Sequence, residues 1–169
     1  MLCRGDPTVD LILYPMTTTE FESFKEQTIR NYAEENVGAG YWHESEAMAR
    51  SIEAHQKLLP LGVATEGHYL FSAKDAVSKE KVGYVWFGVE KNVAIASAFI
   101  FAVFIYEKFR SRGYGRMMMK LVEIKASELG MRRLGLHVFA QNPIAIHLYQ
   151  EEGYRITSLN MMKELASKE

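Results

Sequence analysis

Apolar positions recur along this chain with two different periods, and the periods divide it into elements. Phe21, Phe24, Thr28 and Tyr32 repeat every three or four residues, which predicts a helix that opens at a cap among Thr17, Thr18 and Thr19 and ends near Gly38. Ala47, Met48, Ile52, His55, Leu58 and Leu59 repeat the pattern as far as Pro60, which lacks the N–H that a helix interior needs. The strand signals lie on either side. Residues 8–14 alternate weakly and end at Pro15, and residues 68–74 and 82–89 are rich in aromatic and β-branched side chains flanking the polar stretch 75–81, an antiparallel pair. Residues 93–106 carry no charge and predict a buried strand. Met117, Met118, Leu121 and Val122 then fall at helical spacing up to Gly130. Residues 133–139 alternate, with Leu134, Leu136 and Val138 on one face and His137 on the other. A short helix follows: Asn142 is its cap, Pro143 its first residue, and Gly153 its end. Residues 154–163 read as a last strand before a polar tail from Glu164. The predicted order is β-α-α-β-β-β-α-β-α-β, without repeat or linker, so residues 1–169 are expected to form a single domain.

Composition narrows the class. A chain of 169 residues with 48% hydrophobic and 24% charged positions is that of an ordinary globular protein able to bury a full core. The 14-residue uncharged run is shorter than the ~20 residues of a spanning helix, and no secretory signal opens the chain, so no membrane partner is expected. The lone Cys3 permits neither an internal disulfide nor a cysteine metal cluster, which suits a reducing, cytoplasmic setting with no metal. The net charge of -1 exerts no global pull on nucleic acid, so charge must act locally. It does vary along the chain: Glu34, Glu35, Glu44 and Glu46 crowd the first third, and Arg110, Arg112, Arg116, Arg132 and Arg133 the last.

The most chemically suggestive stretch is 110–116, Arg-Ser-Arg-Gly-Tyr-Gly-Arg, between the uncharged strand and the next helix. Gly113 and Gly115 remove side chains where a backbone can approach a ligand, and the unpaired N–H groups of a helix start carry partial positive charge. With three arginines this is an anion cradle suited to a pyrophosphate, or else a glycine turn with solvated arginines. It is not a Gly-x-x-x-x-Gly-Lys-Ser/Thr nucleotide loop, and its arginines do not form the stripe expected of a nucleic-acid binder.

A second pattern follows, Asn142-x-x-Ala145-x-x-Leu148-Tyr149-x-x-x-Gly153-Tyr154. The two patterns in this order resemble those of the GNAT superfamily of acyl-CoA-dependent N-acyltransferases. The resemblance implies an α+β, three-layer α/β fold: a mixed, mostly antiparallel central sheet with a splayed strand pair, flanked by helices. It implies an acetyl-CoA-binding core over about 93–154 and substrate-side helices over about 17–60. Backbone groups of Val103, Phe104 and Ile105 would pair with the amides of the pantetheine arm as an added strand does. Arg110, Ser111, Arg112, Gly113, Tyr114, Gly115 and Arg116 would hold the coenzyme pyrophosphate. Asn142 would help hold the arm, and Tyr149 would face the sulfur as general acid. By spacing alone Asn142 is a helix cap and Tyr149 a core tyrosine.

The implied reaction is direct attack of a neutral primary amine, of a small molecule or a peptide, on the acetyl-CoA thioester in a ternary complex. With a thiol near pKa ~8.5 and a phenol near ~10, proton transfer from Tyr149 to the thiolate is uphill by about 2 kcal/mol, so the hydroxyl would act largely by hydrogen bonding. The residues 97–105 hold no carboxylate to serve as base, and His137 stands either in that role or as a structural histidine. Tyr41, Trp42, His43, Glu44 and Glu46 combine aromatic and acidic character suited to a cationic acceptor, or to anchoring the helix pair. His68 and Tyr69 are further acceptor-side candidates. Relatives with this pattern are often homodimers. The alternative function is an acyl-CoA-binding, sensing module without catalysis, whose support is the missing strand carboxylate.

Overall fold

The computed structural model describes residues 10–165; Cys3 and the expected strand start at Thr8 lie outside them. Its elements are β1 (Leu11–Pro15), α1 (Thr18–Gly38), α2 (Glu44–Leu58), β2 (His68–Asp75), β3 (Lys81–Val89), β4 (Ser97–Ile105), α3 (Tyr114–Glu128), β5 (Arg133–Leu136) and α4 (Pro143–Glu151). The strands form a sheet in chain order, antiparallel from β1 to β4, with β5 parallel to β4 across the α3 crossover. This is the mixed, mostly antiparallel sheet that the family resemblance implies. Among the described residues no helix is long and apolar enough to cross a membrane.

Local chemistry sets the helix starts. Thr17 closes a capping box: its Oγ1 accepts the Glu20 N–H at 3.2 Å, and the Glu20 carboxylate accepts the Thr17 N–H at 3.0 Å. Asn142 caps α4 in the same manner, its Oδ1 accepting the Ala145 N–H at 3.1 Å, with Pro143 behind it.

β3 divides the core. Its residues alternate between two buried faces: Val85 and Phe87 pack with Met118, Met119 and Val122 of α3, while Tyr84 and Trp86 pack with Phe21 and Phe24 of α1. Helices thus cover both faces, giving three layers. β3 and β4 also approach unusually closely. A Cβ added at Gly83 would lie 1.9 Å from the Phe104 carbonyl oxygen, so only glycine fits there.

Two expected elements end differently. β5 stops at Leu136 rather than running to 139, because β4 leaves it. Trp86 pairs with Ala102 but Phe87 with Ile100, so Phe101 is an extra residue that bends β4 just beyond its last pairing, Ile100 with Leu136. The expected last strand, 154–163, does not form: from Arg155 to Leu165 every residue is exposed and without regular structure. Apolar side chains there signal a strand, but a strand exists only where an edge pairs with it.

Candidate active site

The parting of β4 from β5 opens a cleft of about 390 Å³. Among the described residues the second half of β4 is paired on the β3 side alone, so its backbone groups on the other side have no strand partner there. Val103 and Phe104 line the cleft, and Ile105 follows at its end, its carbonyl accepting the Arg110 Nε–H at 3.0 Å. Across the gap stand His137, Val138 and Phe139, which continue the chain beyond β5, and then Asn142, Ala145 and Tyr149 from α4. Asn142 therefore caps its helix and borders the cleft at the same time.

The glycine loop lies where β4 ends. Gly113 takes a left-handed φ of 88° as the cap residue of α3, and Ser111 is also left-handed at φ 58°, an uncommon geometry for a residue with a side chain. Among the described residues no side chain caps α3, which leaves its first N–H groups open. The arginines differ in what they do. Arg116 is bound to the end of α4, donating to Glu151 at 2.6 Å and Glu152 at 2.8 Å, so its backbone rather than its guanidinium faces the open helix start. Arg110 folds back over the Phe104 ring, and Arg112 is exposed. Tyr114 points inward, its hydroxyl donating to Asp75 at 2.7 Å, and ties α3 to the end of β2. Gly115 lets α4 approach, since a Cβ there would meet Leu148 at 3.2 Å.

The acceptor side comes from the helix pair, although from different residues than the aromatic turn suggests. Tyr41, Trp42 and His43 form the α1–α2 joint: Trp42 packs edge-on against Tyr32 at 5.2 Å, Arg50 lies over Trp42, and His43 caps α2. Glu46 pairs with Arg50 at 3.1 Å, and Glu44 sits in the first turn of α2. His68 accepts the Trp86 indole N–H at 3.0 Å, and Tyr69 stacks on Phe87. The cleft wall is instead built from Thr28, Asn31, Tyr32 and Glu35 of α1 with Ala54, His55 and Leu58 of α2. Gln141 fastens this wall to the loop before α4, donating to the Glu35 carbonyl at 3.2 Å.

Two of these residues carry chemistry that sequence reasoning missed. Glu35 is the one carboxylate among the cleft-lining residues, which include no lysine or arginine. Burial, with Glu34 adding to it, pushes its carboxyl above the usual value. His55 is buried, and its Nδ1–H donates to the Ser51 carbonyl at 3.0 Å, which leaves Nε2 as a lone-pair acceptor without a partner. Burial lowers its pKa, so the ring is neutral at neutral pH. The signal for Glu35 was available: three residues past Tyr32, it continues the apolar face of α1. Tyr149 is shifted upward by burial and then by the charge of Glu35, which keeps it a hydrogen-bond donor.

Residues 26–154 match the model of the Acetyltransferase (GNAT) family. The chain belongs to this family. It is 35% identical over 153 residues to the uncharacterized N-acetyltransferase YdgE of Bacillus subtilis, covering 90% of this chain and 97% of that one. It is 37% identical to YycN of the same organism, over 92% of this chain and 99% of the other. The crystal structure of YycN superposes with a TM-score of 0.89 over 94% of this chain and all of YycN. A more distant likeness of fold, at 14% identity and a TM-score of 0.60 over 94% of this chain and 99% of the other, is to AAC(6')-Iy solved with a bisubstrate analogue, CoA-S-monomethyl-acetylneamine. The protein is thus a GNAT-type N-acetyltransferase, of a family that uses acetyl-CoA and an acceptor substrate.

Proposed function

We propose that this chain transfers the acetyl group of acetyl-CoA to a primary amine by direct attack within a ternary complex. The observation that carries the reading is the half-free edge of β4 opening into the same cleft as Tyr149, with an uncapped helix start at its end. The open-edge backbone of Val103 and Phe104, with Ile105 at its end where Arg110 already holds the carbonyl, suits the amides of the pantetheine arm, an extended ligand added as a strand. The coenzyme pyrophosphate suits the open N–H groups of Gly113, Tyr114, Gly115 and Arg116, with Ser111 and the side chains of Arg110 and Arg112 at the rim. Asn142 then borders the arm and Tyr149 the thioester.

Glu35 receives the proton of the acceptor amine. A carboxylate held above its ordinary value by burial is both an anchor for an ammonium and a stronger base than one in water. The partnerless Nε2 of His55 offers the same amine a second acceptor. His137, exposed where it lines the cleft, is the alternative base. Attack by the neutral amine gives a tetrahedral oxyanion, and collapse expels the thiolate, to which the Tyr149 hydroxyl donates a hydrogen bond. With one carboxylate amid aromatic rings, the wall favours an amine bearing a single positive charge on an apolar body.

Incubation with acetyl-CoA and a panel of primary amines, following free thiol, tests the proposal. Amine-dependent thiol release is the expected result. Tight coenzyme binding without thiol release from any amine would favour the acyl-CoA-sensing alternative.

A further inference from the structure

We propose that His68 is a positioning residue for this enzyme: by holding the indole of Trp86 from outside the cleft, it fixes both the β4 edge and the α2 wall that face the reacting groups. This rests on the open edge of β4 taking the coenzyme arm, as proposed above. Neither His68 nor Trp86 is among the cleft-lining residues. Trp86, in the middle of β3, is buried, and its ring is shared by two residues that do line the cleft. Phe101 of β4 stacks on it with centroids 4.6 Å apart, and His55 of α2 lies against it at 5.7 Å. Phe101 is the extra residue at the bulge where β4 leaves β5. One ring thus supports two walls at once.

The orientation of that ring comes from one hydrogen bond. An indole N–H only donates, so the Nδ1 of His68 that meets it at 3.0 Å carries the lone pair, and the histidine proton sits on Nε2. Burial, with the charge of Lys91 adding to it, lowers the His68 pKa, so Nδ1 stays an acceptor at neutral pH. Gly88 makes room for the arrangement. It stands opposite His68 in the β2–β3 register and on the same face of β3 as Trp86, and a Cβ there would meet His68 Nδ1 at 2.9 Å and the Phe101 ring at 3.0 Å. His68 also reaches Phe101 directly, at 5.5 Å between ring centroids. Without this acceptor the indole N–H is a buried donor with no partner, and the ring turns toward one. Phe101 and His55 follow it, because packed rings keep their mutual geometry.

His68→Leu and His68→Asn, compared by calorimetric titration with acetyl-CoA and by thiol release with an accepted amine, test this. Leucine fills the space without an acceptor, whereas the Oδ1 of asparagine stands close to where Nδ1 stands. H68L is expected to raise the Kd for acetyl-CoA and to lower kcat, each about tenfold or more, the scale of a small misplacement of reacting groups, with the far-ultraviolet circular dichroism of the folded protein retained. H68N should restore both to within about twofold of the parent, because it restores the hydrogen bond. A purely structural histidine would lower the urea midpoint of H68L and leave Kd and kcat at parental values, which overturns the proposal. An H68N variant as impaired as H68L overturns it too, since the hydrogen bond would then not be what positions the ring. Should H68L fail to fold, Trp86→Phe, which keeps a ring against Phe101 and drops the N–H, takes its place with the same expected losses, and parental constants there count against the proposal. A parent chain that binds no acetyl-CoA refutes the coenzyme-arm reading and this one with it. Binding without thiol release from any amine refutes the transfer reading alone, and the Kd values of the variants then decide.

Discussion

Glu35→Gln is the most informative single change. It removes the negative charge and the base while keeping shape, and α1 stays fastened because Gln141 donates to the Glu35 backbone carbonyl rather than to its carboxylate. A lysine-like amine with a pKa near ~10.4 is neutral in about one part in 2,500 at pH 7, a cost of about 4.6 kcal/mol. A positioned base typically recovers ~10²–10⁴-fold of such a loss, about 2.7–5.4 kcal/mol. For such an acceptor, kcat/KM is expected to fall by about that factor at pH 7. For an α-amine of pKa ~7.8, neutral in about one part in seven, the loss should be about tenfold or less. Thiol release measured across pH checks both: the loss should shrink as pH approaches the pKa of the amine. The unaltered enzyme should gain activity with pH through a value above 4.5, the ordinary carboxyl value, because burial raises Glu35. Stability moves in the opposite sense. Between the unfolded and folded values of Glu35 the folded chain binds more protons, so stability falls as pH rises through that window. Glu35→Gln should therefore melt above the parent at pH 7, and the difference should close below about 4.5. A variant with the parental rate and pH profile would remove Glu35 from the chemistry, and a profile flattened by His137→Ala instead would move the base to His137.

Other changes separate binding, chemistry and folding. Tyr149→Phe is expected to lower kcat about tenfold, the worth of one hydrogen bond of about 1.4 kcal/mol, with little change in the KM for acetyl-CoA under steady-state assay. Asn142→Ala should cost about 1 kcal/mol in urea unfolding through loss of the cap; Asn142→Ser should restore stability but not the KM for acetyl-CoA, since a serine is too short to border the coenzyme arm. Gly83→Ala should destabilise by about 2–4 kcal/mol, because its Cβ would meet a backbone oxygen that cannot swing away, and urea unfolding would register it.

What the sequence determined by itself is local. The capping box at Thr17, the Asn142-Pro143 helix start, the two-sided apolar character of β3 and the glycine turn before α3 are each written in neighbouring residues, because capping, periodicity and φ preference act over a few positions. The resemblance to the family rested on two such local motifs. Tertiary structure decided what lies between elements. The bulge at Phe101 ends β5 at Leu136 and opens the cleft, and no local pattern marks where two strands part. Arg116, legible as an anion ligand, spends its guanidinium on Glu151 at the end of α4 and on Glu152 just after it. Glu35, one of several acidic residues in the first third, becomes the lone carboxylate among the described cleft-lining residues only because α1 lies along the same cleft as Tyr149. Residues 154–163 have the makings of a strand and remain unpaired, since a strand needs a partner edge that its own sequence does not contain.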